Sequence, residues 1–182
     1  MKKALKIFGV LVALFIVVGL LLDNKIEVSR EIVIDASREQ IFPLVNDLNA
    51  WPQWSPWKQL DPSIKTYIGD ISKGVGASQS WNGEGGNGSL IFTDSSLEKG
   101  IVYDLMFDGD PGVYISRMQF QPEGTQTRVR WVMSGEMQPI IIGNYFALLM
   151  DTLVGDSFML GLNNLKSVTE AAQARPVIES DE

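Results

Sequence analysis

The chain has 182 residues, 45% of them hydrophobic and 20% charged, with a formal net charge of −7 and neither cysteine nor histidine. That length suits one domain of ordinary size with a short appendage. The two missing residue types exclude a disulfide framework, a Cys/His zinc site and any nucleophile or acid-base pair built on Cys or His, so catalysis here would rest on carboxylates, Lys, Tyr, Ser or water.

Residues 4–22 (ALKIFGVLVALFIVVGLLL) form the first element, and they hold a single charge, Lys6. The run is close to the ~20 residues that cross ~30 Å of hydrocarbon as a helix. Lys2, Lys3 and Lys6 stand at its start and Asp23 follows it. The positive-inside rule then predicts a single-pass anchor in the cell (inner) membrane, with a cytoplasmic N-terminus and the remainder in the periplasm or outside the cell. A cleaved signal sequence is the alternative, although its apolar stretch is usually about 7–15 residues and leaves through small residues. This run is longer and leaves through GLLLDN. Gly9 and Gly19 are too far apart to make a GxxxG packing face. Taking the three lysines away leaves 12 basic against 22 acidic residues from Asp23 onward, a net charge of −10. Such a body is repelled by phosphate backbones, and nucleic acid is not expected as a partner.

Lys25–Ile34 (KIEVSREIVI) reads as a strand with Val28, Ile32 and Ile34 on one face. Ser37 is the expected N-cap of a short helix, with Gln40 as its capping-box partner and Ile41, Phe42, Leu44, Val45 and Leu48 as the apolar side. Trp51-Pro-Gln-Trp54-Ser-Pro-Trp57 carries two prolines, which predict a broken turn or short helix. Strand signals then run to residue 136, over Ile64–Asp70, Gly76–Trp81, Ser89–Ser95, Gly100–Asp108, Val113–Gln121 and Thr125–Glu136. The glycine-rich stretch Gly83-Glu-Gly-Gly-Asn-Gly88 fits no phosphate-loop pattern and is read as a hairpin tip. In the last strand Thr127, Val129, Trp131 and Met133 alternate with Arg128 and Arg130, the pattern of an antiparallel sheet with one covered face. A meander is the simplest topology for these strands. From about Asn144 to Ala172, apolar residues recur at three- and four-residue spacing (Phe146, Leu149, Met150, Leu153, Val154, Phe158, Leu162, Leu165), predicting an amphipathic helix long enough to cross the sheet. Gly155 and Gly161 either weaken it or allow close approach to the sheet.

The domain therefore reads as α+β, with an anchor over 1–24, a folded body over 25–172 and an acidic tail over 173–182. Several segments together resemble the START-like (SRPBCC) superfamily and, within it, the polyketide cyclase/dehydrase-like family, most closely its membrane-anchored bacterial members. The resemblance rests on Ser37-x-x-x-Ile41-Phe42, the segment from Asp47 to Trp57, Gly74-Val-Gly-Ala77-x-x-x-Trp81-x-Gly83 and Gly86-x-Gly88. It continues through Thr127-x-Val129-x-Trp131-x-Met133-x-Gly135 and Gly155-Asp-Ser-Phe158-x-x-Gly161-Leu-x-x-Leu165-Lys166. It implies a helix-grip fold, in which a curved antiparallel sheet wraps a long C-terminal helix around a hydrophobic cavity for lipids, polyketides or other apolar molecules.

On that fold, strand alternation places Leu90, Phe92, Tyr103, Leu105, Phe107, Met118, Phe120, Trp131 and Met133 on the concave face. Leu153, Phe158 and Leu162 face them from the helix, and Trp57 and Trp81 stand near an opening. The same stripe equally describes a filled core. Glu84, Asp94, Asp104 and Asp151 are the candidate acids, and none forms a motif with a second catalytic group; solvated carboxylates are the simpler reading. No metal or cofactor is expected. The expected function is a membrane-tethered binding protein for a lipid or other apolar small molecule. The alternatives are a cyclase- or dehydratase-like enzyme on a polyketide-like substrate, and an interaction module with a filled core.

Overall fold

A computed structural model describes residues 2–173 of the chain. The apolar N-terminal run is a helix, α1 (Lys2–Leu21), followed by strand β1 (Lys25–Ile34) and helix α2 (Arg38–Asn46). At the start of α2 the backbone N–H of Ser37 donates to Gln40 Oε1 at 2.9 Å, one half of a capping box. The tryptophan-proline segment breaks into a 3₁₀ turn (Trp51–Gln53) and a four-residue helix, α3 (Trp57–Leu60). The indole N–H groups of Trp51 and Trp54 donate to the carbonyls of Val45 and Leu44, each at 2.9 Å. Those carbonyls belong to the last turn of α2, where no intrahelical donor reaches them, so the tryptophans cap the helix that precedes them.

Six strands follow: β2 (Lys65–Ile68), β3 (Ser78–Asn82), β4 (Gly88–Ser96), β5 (Gly100–Phe107), β6 (Val113–Glu123) and β7 (Gln126–Glu136). Helix α4 (Ile142–Gln173) closes the described chain. The sheet has seven strands in the order β1-β7-β6-β5-β4-β3-β2, with every pairing antiparallel. The expected meander holds from β2 to β7. β1 pairs with β7, Lys25 opposite Glu136 and Ile34 opposite Thr127, so the first and last strands close one side of the sheet. β3 starts two residues later than expected because Gly74 and Gly76 both lie at positive φ (74° and 86°), extending the turn before it. The glycine-rich stretch is the tip joining β3 to β4, with Trp81 opposite Gly88. Asp61 accepts from the Ser63 hydroxyl, from the tip's Gly85 N–H at 3.0 Å and from the Ser63 N–H at 2.9 Å, and these bonds, the hydroxyl's foremost, hold its carboxyl below the usual range. The expected tail beyond Gln173 lies outside the described residues.

One face of the sheet carries the core. Ile26, Val28 and Ile34 of β1, Phe92 of β4, Tyr103 of β5, Met118 of β6 and Val129, Trp131 and Met133 of β7 are buried on it, covered by α2, the tryptophan segment and α4. α4 lies chiefly along β1 and is tied to it at three levels. Arg30 pairs with Asp151 at 2.8 Å, Lys166 Nζ donates to the Val33 carbonyl at 2.8 Å, and the Asp35 N–H donates to Glu170 at 2.9 Å. Both helix glycines are close-approach positions. A Cβ on Gly161 would stand 2.9 Å from both Pro56 and the Trp131 ring, and one on Gly155 would overlap the Arg30 guanidinium.

Candidate functional site: the aromatic floor of the grip

The register of the sheet aligns Phe92 with Tyr103, Tyr103 with Ser116 and Met118 with Trp131 on the concave face. Trp131, only 1% exposed, stacks on Phe158 of α4 with ring centroids 4.2 Å apart and planes 4° from parallel. Trp54 and Trp57 meet the same indole edge-on at 5.6 and 6.4 Å, and Trp51 bridges from Trp54 to Phe92 and Tyr103. Sheet, tryptophan segment and long helix thus converge on one side chain.

Polar atoms in this floor satisfy one another. Trp131 Nε1–H donates to the Tyr103 hydroxyl at 3.0 Å and to Ser116 Oγ at 3.1 Å, while the Ser116 hydroxyl donates to the Val132 carbonyl at 3.1 Å. Complete burial pushes the Tyr103 hydroxyl up to about 12, because the phenolate would be stranded away from water. Tyr103 is therefore a neutral hydrogen-bonding group at physiological pH.

Among the expected lining residues, Leu90, Phe92, Tyr103, Met118, Phe120, Trp131, Met133, Phe158 and Leu162 are buried together. Trp57, Trp81 and Leu105 are partly buried against them. Phe107 is 39% exposed, at the end of β5, where it meets Trp81 edge-on at 5.8 Å and Tyr114 at 5.7 Å. Leu153 departs from its expected inward position. It is 60% exposed, because the Met150 and Val154 side of α4 packs on the core and Leu153 lies past the edge of that side, turned outward. Open grooves indent the surface of the described residues elsewhere. One of about 360 Å³ lies between α2 and the end of α4, and one of about 470 Å³ lies beside the β5–β6 turn; none of the expected residues lines either.

The candidate acids are dispersed. Asp151 is held by Arg30, whose guanidinium keeps the carboxyl below its usual range. Asp94 is exposed beside a bulge in β4, Asp104 is part-exposed on the convex side of β5, and Glu84 is exposed at the β3–β4 tip. Among the described residues, no cluster of three or more Asp or Glu side chains is placed to hold a metal ion. Sequence reasoning passed over Ser116 and Arg30 as inward-facing polar groups. Alternation signalled both, since Ser116 shares a face with Met118 and Phe120, and Arg30 with Val28 and Ile32.

The profile of the polyketide cyclase/dehydrase and lipid transport family matches residues 25–170, from the first residue of β1 to near the end of α4. The chain belongs to that family. No curated protein sequence matches it. A START superfamily protein from Mycobacterium smegmatis is 22% identical, with a TM-score of 0.56 over 80% of this chain and 98% of that one. A protein from Thermus thermophilus is 20% identical, with a TM-score of 0.58 over 81% of this chain and 99% of that one. The di-domain ARO/CYC StfQ, from the steffimycin biosynthetic pathway, is 9% identical, with a TM-score of 0.63 over 84% of this chain and 53% of that protein. At these identities the likeness is one of fold, the helix-grip architecture in which a curved antiparallel sheet packs against a long C-terminal helix. Family and fold together point to apolar-ligand binding or cyclase/dehydrase-like activity.

Proposed function

We propose that the chain is a membrane-tethered binding protein for a lipid or other apolar small molecule, held on the concave face between sheet and α4. The observation that carries this reading is the aromatic floor around Trp131, whose polar atoms are already paired with one another and whose edge is apolar and part-exposed at Trp57, Leu105, Trp81 and Phe107. Such a surface favours an apolar guest fixed by few polar contacts. Entry past the closed rings requires Trp57 and Phe158 to turn aside. The tether in this reading is α1, which is 20 residues long with a mean hydropathy of 2.7. The positive-inside rule then puts the N-terminus in the cytoplasm and the domain beyond the inner membrane.

A cyclase- or dehydratase-like activity on a polyketide-like substrate is the second reading, favoured by the two hydroxyls, Tyr103 and Ser116, set in the apolar floor. Mass spectrometry of molecules extracted from the full chain in lipid nanodiscs tests the binding reading. An apolar compound stoichiometric with protein, absent from empty nanodiscs and reduced by Trp57→Ala or Trp81→Ala, is the expected result. Retention of nothing by the wild type would overturn it and favour a filled interaction module. Turnover that survives Glu84→Gln, Asp94→Asn and Asp151→Asn but disappears with Tyr103→Phe would move the assignment to the enzyme.

A further inference from the structure

The N-terminal half of α4 is apolar on more sides than the sheet can cover. From Met137 to Met150 there is no charged residue. Met150 and Val154 turn toward the core, yet Ile142, Phe146, Leu149 and Leu153 form a stripe on the outer side, each more than half exposed, and Ile140 and Leu148 are exposed beside it. A helix that is apolar around most of its circumference needs a second apolar neighbour.

The start of this helix is fastened to α1. Phe15 stacks on Tyr145 with ring centroids 4.5 Å apart and planes 9° from parallel, and the Tyr145 hydroxyl donates to the Phe15 carbonyl at 2.8 Å. Asn144 Nδ2 donates to the carbonyls of Gly19 and Leu22 at 2.8 and 2.7 Å, satisfying the exit of α1. Gly19 makes the approach possible, since a Cβ there would stand 2.7 Å from the Ile141 side chain. Ile141 itself sits at φ 82°, a conformation β-branched residues rarely adopt, at the point where the chain turns from β7 toward α4.

These contacts fix a depth. Phe15 precedes Asp23 by eight residues, about 12 Å of helix at 1.5 Å per residue. If α1 spans the bilayer, Tyr145 and the apolar side chains around it lie below the headgroups, not above them. We propose that the exposed apolar face formed by Ile140 in the turn before α4 and by the outer side of α4 from Ile142 to Leu149 is a second membrane contact, inserted into the hydrocarbon of the bilayer that α1 crosses. This rests on the reading of α1 as an anchor. The immersion is slightly deeper than the ~5–10 Å of interfacial amphipathic helices. The Arg30–Asp151 pair marks the upper limit of the inserted segment, Asp151 being the first charge on α4. The domain is thereby held against the membrane instead of swinging on a tether, with the beginning of β1 and the end of β7 toward the lipid.

Because the chain has no cysteine, single nitroxide labels report cleanly. Full-length protein in phosphatidylcholine vesicles is labelled at Leu11→Cys in α1, Phe146→Cys and Leu149→Cys on the outer face, and Asn163→Cys on the exposed side of the distal half. Collision rates with oxygen, which enriches in hydrocarbon, are compared with those of a water-soluble nickel chelate. Positions 146 and 149 are expected to resemble position 11, with an oxygen-to-nickel ratio at least about threefold above that at position 163. A lipid-like position 11 with water-like 146 and 149 overturns the docking and leaves the anchor standing. A water-like position 11 overturns the anchor and the docking with it. Low collision with both reagents at 146 and 149 means that protein covers the face, and also overturns the proposal. Unchanged melting of the labelled variants confirms that the exposed substitutions leave the fold intact.

Discussion

Both halves of α4 carry an apolar stripe, and the two stripes meet opposite environments. Beyond Val154, Phe158, Gly161, Leu162 and Leu165 are buried against Trp131 and β1, and the remaining side is polar. Before it, Phe146, Leu148, Leu149 and Leu153 are exposed while Ala147 and Met150 pack inward. Apolar spacing therefore identifies a helix, whereas the partner for each face depends on what the rest of the chain brings alongside. The distal half has a sheet. The proximal half has α1 and, in our proposal, lipid.

Core truncation separates the halves most sharply. Trp131→Ala removes the stack on Phe158 and two buried hydrogen bonds, and is expected to destabilise by about 3–5 kcal/mol in denaturant titrations. Phe146→Ala, being exposed, is expected to stay within about 0.5 kcal/mol in detergent. Equal losses at the two positions would erase the distinction between the halves.

Alkaline titration comes next. Neutral Tyr103 is favoured in the folded state, so its contribution is complete below pH ~10, the ordinary tyrosine value, and is lost as pH rises toward about 12. Over that window the wild type is expected to lose up to about 2–3 kcal/mol relative to Tyr103→Phe. A constant difference between the two proteins from about pH 9 to about 12 would mean that water reaches the floor. A smaller effect is expected where α4 touches the sheet most closely. Gly161→Ala drives a methyl toward Pro56 and Trp131 and is expected to cost about 1–3 kcal/mol by thermal denaturation. The same substitution without loss would show that the contact yields.

The exposed Arg30–Asp151 pair gives the smallest effect, with its sign set by the lowered carboxyl. It stabilises at neutral pH, and that contribution is lost as pH falls through the folded value of Asp151. Asp151→Asn is expected to flatten the acid limb of the stability curve slightly, and an identical limb in both proteins would show that the pair adds nothing to stability.

Much of the fold was legible locally. Hairpins announce themselves through glycine and proline turns, and the alternation of Thr127, Val129, Trp131 and Met133 against Arg128 and Arg130 marks which face is covered. Ser37 and Gln40 mark the start of α2 for an equally local reason. The edge position of β1 was not legible in this way, because pairing with β7 joins residues about a hundred positions apart and nothing in either strand names its partner. The floor was half legible. Alternation chose Phe92, Tyr103, Met118 and Trp131, but the hydroxyl of Ser116 and the capping role of Trp51 and Trp54 emerge only when their partners are in place.

Neighbouring residues alone specify the apolar N-terminal helix, the run of strands, the long closing helix and the absence of thiol and imidazole chemistry. Composition and spacing are local properties, and they suffice for these. The assembled fold was needed to close the interior aromatics on one another, to turn Leu153 outward and to bring the turn before α4 against Gly19. Each depends on which surfaces meet in space, and a helix with more apolar faces than one sheet can cover does not reveal in its own residues which face will be left over.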